Sequence, residues 1–353
     1  MSRRPLAIAG MGMISCLGEG AEVNAAAMRC DYDGFVQTSF NQPYSSEPQL
    51  GAQIETDLRG IAKLSYMNKV AVEEAIKDLP EGYEGLTVIY CMPEKSRHTF
   101  FNNEEALREI MENTFSELDL GELGSASSAF WQHRCGFVSA LKQAQELLYA
   151  QGREYVLIVS IDSLLNSATL SQYGGGLYGE GRRLLGDGHS NGFIPGEAAT
   201  AILLSTSKDD LSVSISGVGE GQESATLDNE EEVLKGNGIA DAIRQASKDS
   251  GVEIHNTGFR ASSVSGEDYF FTEAALAQIK TLKQKVDEQP LWHPADSVGE
   301  VGAAVGGAIT VMTYYAFTKA YALGSNAICH ISNDNSQRGA FIMQYKPSNQ
   351  QGA

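Results

Sequence analysis

The chain has 353 residues and a formal net charge of -19, from 45 Asp and Glu against 26 Lys and Arg. Hydrophobic residues make up 42% and charged residues 20%, a composition typical of a soluble globular protein, which excludes a disordered one. Because so acidic a surface repels phosphate backbones, we expect no nucleic-acid partner.

Short apolar segments alternate along the chain with segments of helical periodicity. We expect strands at residues 6–11, 86–91, 155–161, 199–204, 212–217, 258–264, 327–331 and 340–345. We expect helices at residues 67–79, 135–150, 230–247, 272–286 and 302–322. This alternation predicts an α/β protein with mainly parallel strand pairing.

The order of elements in the first part of the chain is roughly repeated in the second. After a strand that ends near Ser205, the chain again runs through strand, helix, strand, long glycine-rich helix and two closing strands. The sequence therefore predicts two similar halves, residues 1–205 and 206–353, without a flexible linker.

Two segments share features with a signal peptide or a membrane-spanning helix. Arg3 and Arg4 precede an apolar run that is short and contains glycines, which favours a first strand over a signal peptide. Residues 301–318 carry no charge but are rich in glycine and lead directly into Lys319. A helix buried in a core is the favoured interpretation, and we expect no membrane span.

The sequence offers little support for a cofactor or a metal. Gly10-Met11-Gly12 follows the first strand, but Ser15 replaces the third glycine of a dinucleotide-binding loop. A GxSxG motif surrounds Ser190, but a polar loop rather than a strand precedes it. The five cysteines lack CxxC spacing and the six histidines lack HExxH spacing. We therefore expect no cofactor, no metal site and a reducing, cytoplasmic location.

Three stretches resemble β-ketoacyl synthases of the thiolase superfamily. Residues 192–199 read GFIPGEAA before an apolar strand, residues 7–20 read AIAGMGMISCLGEG, and residues 297–312 read SVGEVGAAVGGAITVM. Their order is that of the family, and the resemblance covers nearly the whole chain. It implies the thiolase-like five-layered αβαβα fold, in which two similar halves hold helices between two mixed sheets, and it implies a homodimer.

The resemblance also indicates a candidate nucleophile. The family has a reactive cysteine at the start of a buried helix, and this position falls on Cys135. Arg134 would lower the pKa of that thiol, and His133 would act as a base if it faced the thiol. An inert, buried Cys135 is the alternative, and large side chains such as Trp131 or Phe137 would block an acyl tunnel.

The two histidines of the family are missing at the matching positions. The first position falls in residues 262–268, SSVSGED, and the second is Glu300. The glycine-rich turn that supplies an oxyanion donor reads SNDNSQRGAF, in which only Gly339 is retained. A carboxylate does not donate the hydrogen bond of a neutral imidazole unless it is protonated, so we do not expect ordinary decarboxylative condensation. Glu300 is either catalytic or, as we favour, a cap on the buried helix.

Arg182 and Arg183 are the remaining candidates. They lie in the loop before GFIPGEAA and would either contact an acidic partner or phosphopantetheine phosphate, or be solvated surface charges.

Two functional hypotheses follow. In the first, the protein is a pseudoenzyme that has lost condensing activity and acts as a binding, adaptor or scaffold protein for a basic protein partner or an acyl chain. In the second, it is a divergent acyltransferase or β-ketoacyl synthase in which Cys135 accepts an acyl group from a thioester, assisted by His133 or Glu300.

Overall fold

The computed structural model describes residues 4–42, 45–80, 83–118, 120, 124–175, 181–206, 213–229 and 231–347. The strands are β1 (Leu6–Ser15), β2 (Gly18–Glu19), β3 (Val36–Asn41), β4 (Pro48–Gly51), β5 (Thr87–Cys91), β6 (Ser128–Phe130), β7 (Tyr155–Ser163), β8 (Glu197–Thr206), β9 (Val213–Gln222), β10 (Phe259–Ser262), β11 (Leu291–Trp292), β12 (Asn326–Ser332) and β13 (Gln337–Tyr345). The α-helices are α1 (Ala21–Arg29), α2 (Gly60–Ile76), α3 (Glu104–Glu117), α4 (Gly136–Tyr149), α5 (Ser167–Tyr173), α6 (Asn237–Ser250), α7 (Asp268–Thr281), α8 (Ala295–Val298) and α9 (Val305–Thr318).

Among the described residues, eleven strands form one mixed sheet in the order β11-β10-β12-β13-β9-β1-β8-β7-β5-β6, with β2 paired to β1. The order β1-β8-β7-β5-β6 on one side matches β9-β13-β12-β10-β11 on the other. In each set the second strand is antiparallel to both neighbours, and the last three strands are parallel. Six of the ten strand pairs described in this sheet are antiparallel, so the predicted mainly parallel pairing is wrong. The boundary between the halves, residue 205 to 206, stays a prediction.

The resemblance predicts two separate sheets, and the structure corrects this in one respect. β1 and β9 join the two sets of strands through two antiparallel residue pairs, Leu6 with Ile215 and Ala7 with Ser214. Beyond these pairs each strand pairs within its own set, because α4 and α9 lie between them and pack on strands of both sets. The sheets are therefore continuous at one corner and separated elsewhere.

The helices complete five layers. α2 and α3 cover the outer face of the first set of strands, and α6 and α7 cover that of the second. The central layer is tight because α9 carries glycines. A Cβ on Gly306 would overlap the ring of Phe137, and one on Gly307 would overlap Thr200. The predicted αβαβα fold and the buried glycine-rich helix are confirmed.

Several predicted bounds need correction. The helix predicted from residue 302 begins as a 3₁₀ turn at Gly302–Ala304 and becomes α-helical only at Val305. The helix predicted from residue 230 begins at Asn237, after Gly236 adopts a left-handed conformation (φ 63°). Residues 212 and 230 lie outside the described ranges. Within those ranges, none of the helices has the length and apolar character that a membrane crossing requires.

Candidate functional site

The central helices α4 and α9 begin in the same way. Each follows a 3₁₀ turn, His133–Cys135 before α4 and Gly302–Ala304 before α9, and the two turns contact each other. The first residue of each turn is left-handed, with φ of 51° at His133 and 54° at Gly302. Glycine adopts this conformation freely, but histidine does so at a cost, so surrounding contacts must hold His133 in place.

His133 is held by a guanidinium. Its Nδ1 accepts a hydrogen bond from Arg97 Nη2 at 2.6 Å, and its side chain is 3% exposed. Burial, together with the charges of Arg97 and Arg134, lowers the pKa of His133 well below its usual value. The imidazole is therefore neutral at physiological pH, and it bonds to Arg97 rather than to the thiol of Cys135.

Cys135 lies at the end of the same turn, in apolar surroundings. Its Sγ donates to the backbone oxygens of Gln337 and Ile331, at 3.4 and 3.7 Å. Burial raises the pKa of the thiol to about 12, although Arg338 and Arg134 act in the opposite direction. Two residues after it, Phe137 is completely buried and packs against Phe341. The Cys135 thiol is therefore protonated at neutral pH.

Glu300 caps the turn that leads into α9. Its Oε1 accepts the backbone N–H of Gly302 at 2.8 Å and a hydrogen bond from Arg134 Nε at 3.2 Å. Its backbone also bonds to the GFIPGEAA segment, since Glu300 N donates to Ile194 O and Gly196 N donates to Glu300 O. Two of the stretches that resemble ketosynthases therefore meet at this residue. Oε2 of Glu300 is buried without a hydrogen-bond partner.

A second ion pair lies beside the first. Arg97 Nη1 donates to both carboxylate oxygens of Asp162 at 2.8 Å, and both side chains are completely buried. Asp162 also accepts the backbone N–H of Ala303 at 2.8 Å. Two carboxylates, Glu300 and Asp162, therefore satisfy the first free N–H groups before α9.

Arg183 is not a solvated charge, because carboxylates of the same chain surround it. It donates to Glu267 at 2.7 and 2.8 Å and to Asp334 at 2.7 and 3.1 Å, and its side chain is 16% exposed. Although burial opposes ionisation, Arg183 and Arg134 hold the pKa of Asp334 below its usual range. Arg182 instead donates to the backbone oxygen of Leu184. The interpretation of Arg183 as a solvated surface charge is therefore wrong, and its contact with an acidic partner or a phosphate stays a prediction.

These groups form what we call the buried ion-pair network. It consists of three arginines, the carboxylates they bind, and the neutral His133: Arg97, Arg134, Arg183, Glu94, Asp162, Glu267, Glu300, Asp334 and His133. Arg134 links its parts, because its guanidinium lies 3.3 Å from Asp334 as well as bonding to Glu300.

A cavity of about 540 Å³ lies next to the network. Its lining includes His133, Glu94, Tyr173, Arg183 and Asp334. The cavity is polar, and its described lining has three carboxylates, Glu94, Asp228 and Asp334, against one arginine, Arg183. It therefore differs from the apolar tunnel that an acyl chain needs.

The three sequence-predicted site residues are brought into one neighbourhood, but not into one reacting group. Glu300 reaches Arg134, whereas His133 and Cys135 turn to Arg97 and to backbone oxygens. The sequence analysis did not identify Arg97, Asp162 or Asp334. For Arg97 and Asp162 the signal is position, because they lie at the carboxyl ends of the neighbouring parallel strands β5 and β7, which meet at one edge of the sheet. Asp334 follows β12, in the other set of strands, and has no such signal.

The arrangement provides ion pairing and a neutral imidazole, and no low-pKa nucleophile in the central turns. Within the described part of the chain, no three His, Cys, Asp or Glu side chains are grouped so as to hold a metal ion.

No protein-family model matches the sequence, and no curated protein matches it. Solved structures do match. A chain of the complex of a type II PKS acyl-carrier protein with its ketosynthase bound to the hexaketide has a TM-score of 0.78 at 13% identity, covering 98% of this chain and 100% of that chain. The ishigamide ketosynthase/chain length factor gives a TM-score of 0.77 at 12% identity, with coverages of 98% and 100%.

A β-ketoacyl synthase from Burkholderia phymatum STM815 gives a TM-score of 0.72 at 13% identity, again over 98% of this chain and 100% of that chain. At such low identity these similarities concern the fold alone. The chain therefore has the thiolase-like fold of the β-ketoacyl synthases, as its sequence motifs predict.

Proposed function

We propose that the protein is a ketosynthase-like pseudoenzyme that has lost decarboxylative condensation and acts in the cytoplasm as a binding or scaffold subunit in complex with another protein. The observation that carries the proposal is the buried ion-pair network at the starts of α4 and α9. Arg134 bonds to Glu300 and Arg97 bonds to Asp162, and all four side chains are buried.

The network is a poor environment for acyl transfer. A cysteine nucleophile reacts as the thiolate and needs access to the thioester. The Cys135 thiol has a pKa of about 12 and is 5% exposed. The only histidine in the two turns, His133, is engaged by Arg97. Acylation of Cys135, the alternative hypothesis, is supported only by the position of this residue before α4.

Buried charges that serve no reaction still stabilise one arrangement of the chain. Removing one partner of a buried ion pair costs about 3–5 kcal/mol, because an unpaired charge is left behind. The network thus holds the central helices rigidly, and a rigid frame suits a subunit that works by association.

The similar structures suggest the kind of partner. They include a ketosynthase in complex with an acyl-carrier protein and a ketosynthase/chain length factor. We propose that the partner is a second ketosynthase-fold chain, either another copy in a homodimer or a condensing ketosynthase. The net charge of -19 disfavours an acidic acyl-carrier protein, since like charges repel. Between the two ketosynthase-fold partners, the same argument favours a condensing ketosynthase with a basic surface over a second, equally acidic copy.

The test has a chemical arm and an association arm. The purified protein is incubated with acetyl and malonyl thioesters of pantetheine, followed by intact-mass analysis and detection of released CO₂. We expect no adduct and no decarboxylation. An adduct that disappears in Cys135→Ala but persists in Cys30→Ala would instead establish acyl transfer at Cys135.

In the association arm, light scattering measures the mass of the purified chain, and a tagged chain is co-expressed with the ketosynthases encoded by its own genome. We expect a dimer of the chain or a stable complex with one ketosynthase that weakens from 50 to 500 mM salt. A monomer that associates with none of them would overturn the proposal.

A further inference from the structure

A groove of about 780 Å³ lies at the open end of the β3–β4 hairpin. The hairpin ladder ends at the pair Val36 with Gly51, and beyond this pair the two chain segments separate. Residues 32–36 form the first wall of the groove and residues 53–57 form the second wall. No residue of its lining belongs to the buried ion-pair network, so the groove is separate from the candidate site.

The second wall has an unpaired backbone edge. Ala52 O accepts from Glu197 N, and Ile54 N donates to the Glu197 carboxylate at 2.8 Å, so both residues face the start of β8. Successive residues of an extended chain direct their backbone groups to opposite edges, so those of Gln53 and Glu55 face the groove. Within the described ranges, the backbone N–H and C=O groups of these two residues have no hydrogen-bond partner.

The first wall exposes apolar side chains beside that edge. Tyr32 is 63% exposed and Val36 is 46% exposed. Gln37, which follows Val36 in β3, is exposed as well. Because consecutive residues of a strand point to opposite faces, the start of β3 has solvent on both faces. Apolar side chains next to a free backbone edge form a template on which another chain can add a strand.

The groove is lined with carboxylates and has no cation among its described lining residues. Asp33 lies on the first wall and Glu55 and Asp57 lie on the second, and all three are exposed. Among the residues that the structure describes, none of these carboxylates has an ion-pair partner. Arg59, the next arginine along the chain, donates to two backbone oxygens of its own loop instead. The exposed ring of Tyr32 also offers its face to a cation.

We propose that the groove binds a basic, extended segment of a partner protein by strand addition. The backbone of the segment pairs with the free groups of Gln53 and Glu55, and its alternate side chains are lysine or arginine. These cations reach the carboxylates of Asp33, Glu55 and Asp57, while an apolar side chain packs on Val36.

Charge decides between possible occupants of the groove. A second copy of this chain has the same net charge of -19, so a segment from a basic partner is favoured. The inference requires neither an inert Cys135 nor a partner with the ketosynthase fold. A peptide tests it, so it can fail while the proposed function holds, and the reverse.

The probe is an acetylated and amidated peptide of seven residues in which valine and arginine alternate. Fluorescence anisotropy of the labelled peptide in 150 mM salt should show saturable binding, and the peptide should slow amide hydrogen exchange in residues 53–57. The same peptide with glutamate in place of arginine should not bind.

Methylation of alternate amide nitrogens tests the backbone pairing, because it removes donors and keeps the charge of the peptide. One of the two alternating patterns should weaken binding at least about tenfold, since it blocks the edge that faces Gln53 and Glu55. The other pattern should bind more tightly than the first. If both methylated peptides bind as well as the unmethylated one, the proposal is overturned.

Two double variants separate the groove from the acidic surface in general. Glu55→Gln/Asp57→Asn should weaken binding about three- to tenfold, because two exposed ion pairs are lost. Glu109→Gln/Glu112→Gln removes the same charge from exposed positions on α3, outside the groove, and should leave binding unchanged.

Three further outcomes would overturn the proposal. The first is no binding of the peptide at about 1 mM. The second is equal weakening in both double variants, which would mean a diffuse attraction to the acidic surface. The third is a dimer of this chain that the peptide dissociates in light scattering, which would mean that a second copy occupies the groove.

Discussion

The starts of α4 and α9 have the same backbone conformation, but their side chains make different interactions. Both begin with a left-handed residue and a 3₁₀ turn, and each continues as a 14-residue helix. Before α9 the turn is Gly-Ala-Ala, and carboxylates bind its N–H groups. Before α4 the turn is His-Arg-Cys, and it projects a buried cation towards those carboxylates.

The difference shows that the two helix starts have complementary charges. The positive end of α9 attracts Glu300 and Asp162, and Arg134 and Arg97 then balance the carboxylates. The absence of a side chain on Gly302 leaves room for the Asp162 carboxylate. The two helix starts are thus joined by ion pairs.

The largest expected effect comes from breaking the link between the two helix starts. Arg134→Met leaves Glu300 buried without its cation, so the free energy of unfolding in urea should fall by about 3–5 kcal/mol. Arg244→Met is the control, because it removes an arginine from an exposed pair with Asp241. It should change the free energy of unfolding by less than about 1 kcal/mol. The double variant Arg134→Met/Glu300→Gln should regain part of the lost stability, because it no longer has an unpaired buried charge. Equal losses for the two arginine variants would contradict the account.

The next prediction concerns the small residue that the turn before α9 requires. Gly302→Ala is strained at φ 54° and its Cβ would overlap the Asp162 carboxylate. The substitution should lower the free energy of unfolding by about 2–4 kcal/mol, more than backbone strain alone would. Gly60→Ala is the matched control, since Gly60 has φ 60° and its Cβ would meet no atom within 4 Å. Gly60→Ala should lower the free energy of unfolding by about 1 kcal/mol. Similar melting-temperature losses for both would show that the carboxylate does not crowd Gly302.

The smallest effect is a pH dependence that belongs to the α4 side. His133 has a folded-state pKa well below its unfolded value of about 6.5. Below pH 6.5 the unfolded chain therefore binds one more proton at this residue, and stability falls as the pH falls. His133→Gln should reduce the slope between pH 6.5 and 5 by up to about 1.4 kcal/mol per pH unit.

His330→Gln provides a comparison away from the two turns. Burial lowers the pKa of His330 to about 3. His330→Gln should therefore reduce the dependence of stability on pH between pH 6.5 and 5 by a similar amount. An unchanged slope in His133→Gln, with a flattened slope in His330→Gln, would mean that His133 is charged in the folded protein.

The sequence was sufficient for the fold and for one half of the site. The GFIPGEAA and SVGEVG motifs predicted the thiolase-like architecture, and small residues around Glu300 predicted a cap on a buried helix, which the Gly302 N–H confirms. The partners of that cap were not predictable, because Arg134 lies 166 residues away in sequence. Nor did local pattern reveal that Arg183 is buried, since its carboxylate partners lie on other loops.

The central claim is that the turn before α4 no longer presents a reactive thiol, and the rate of cysteine alkylation tests it most directly. Cys30 is exposed and Cys135 is buried, so each molecule carries its own control. With iodoacetamide at pH 8, followed by peptide mapping, Cys30 should be modified within minutes. Cys135 should react at least about a thousandfold more slowly, at the rate at which the protein opens. Modification of Cys135 as fast as that of Cys30 in the folded protein would contradict the account.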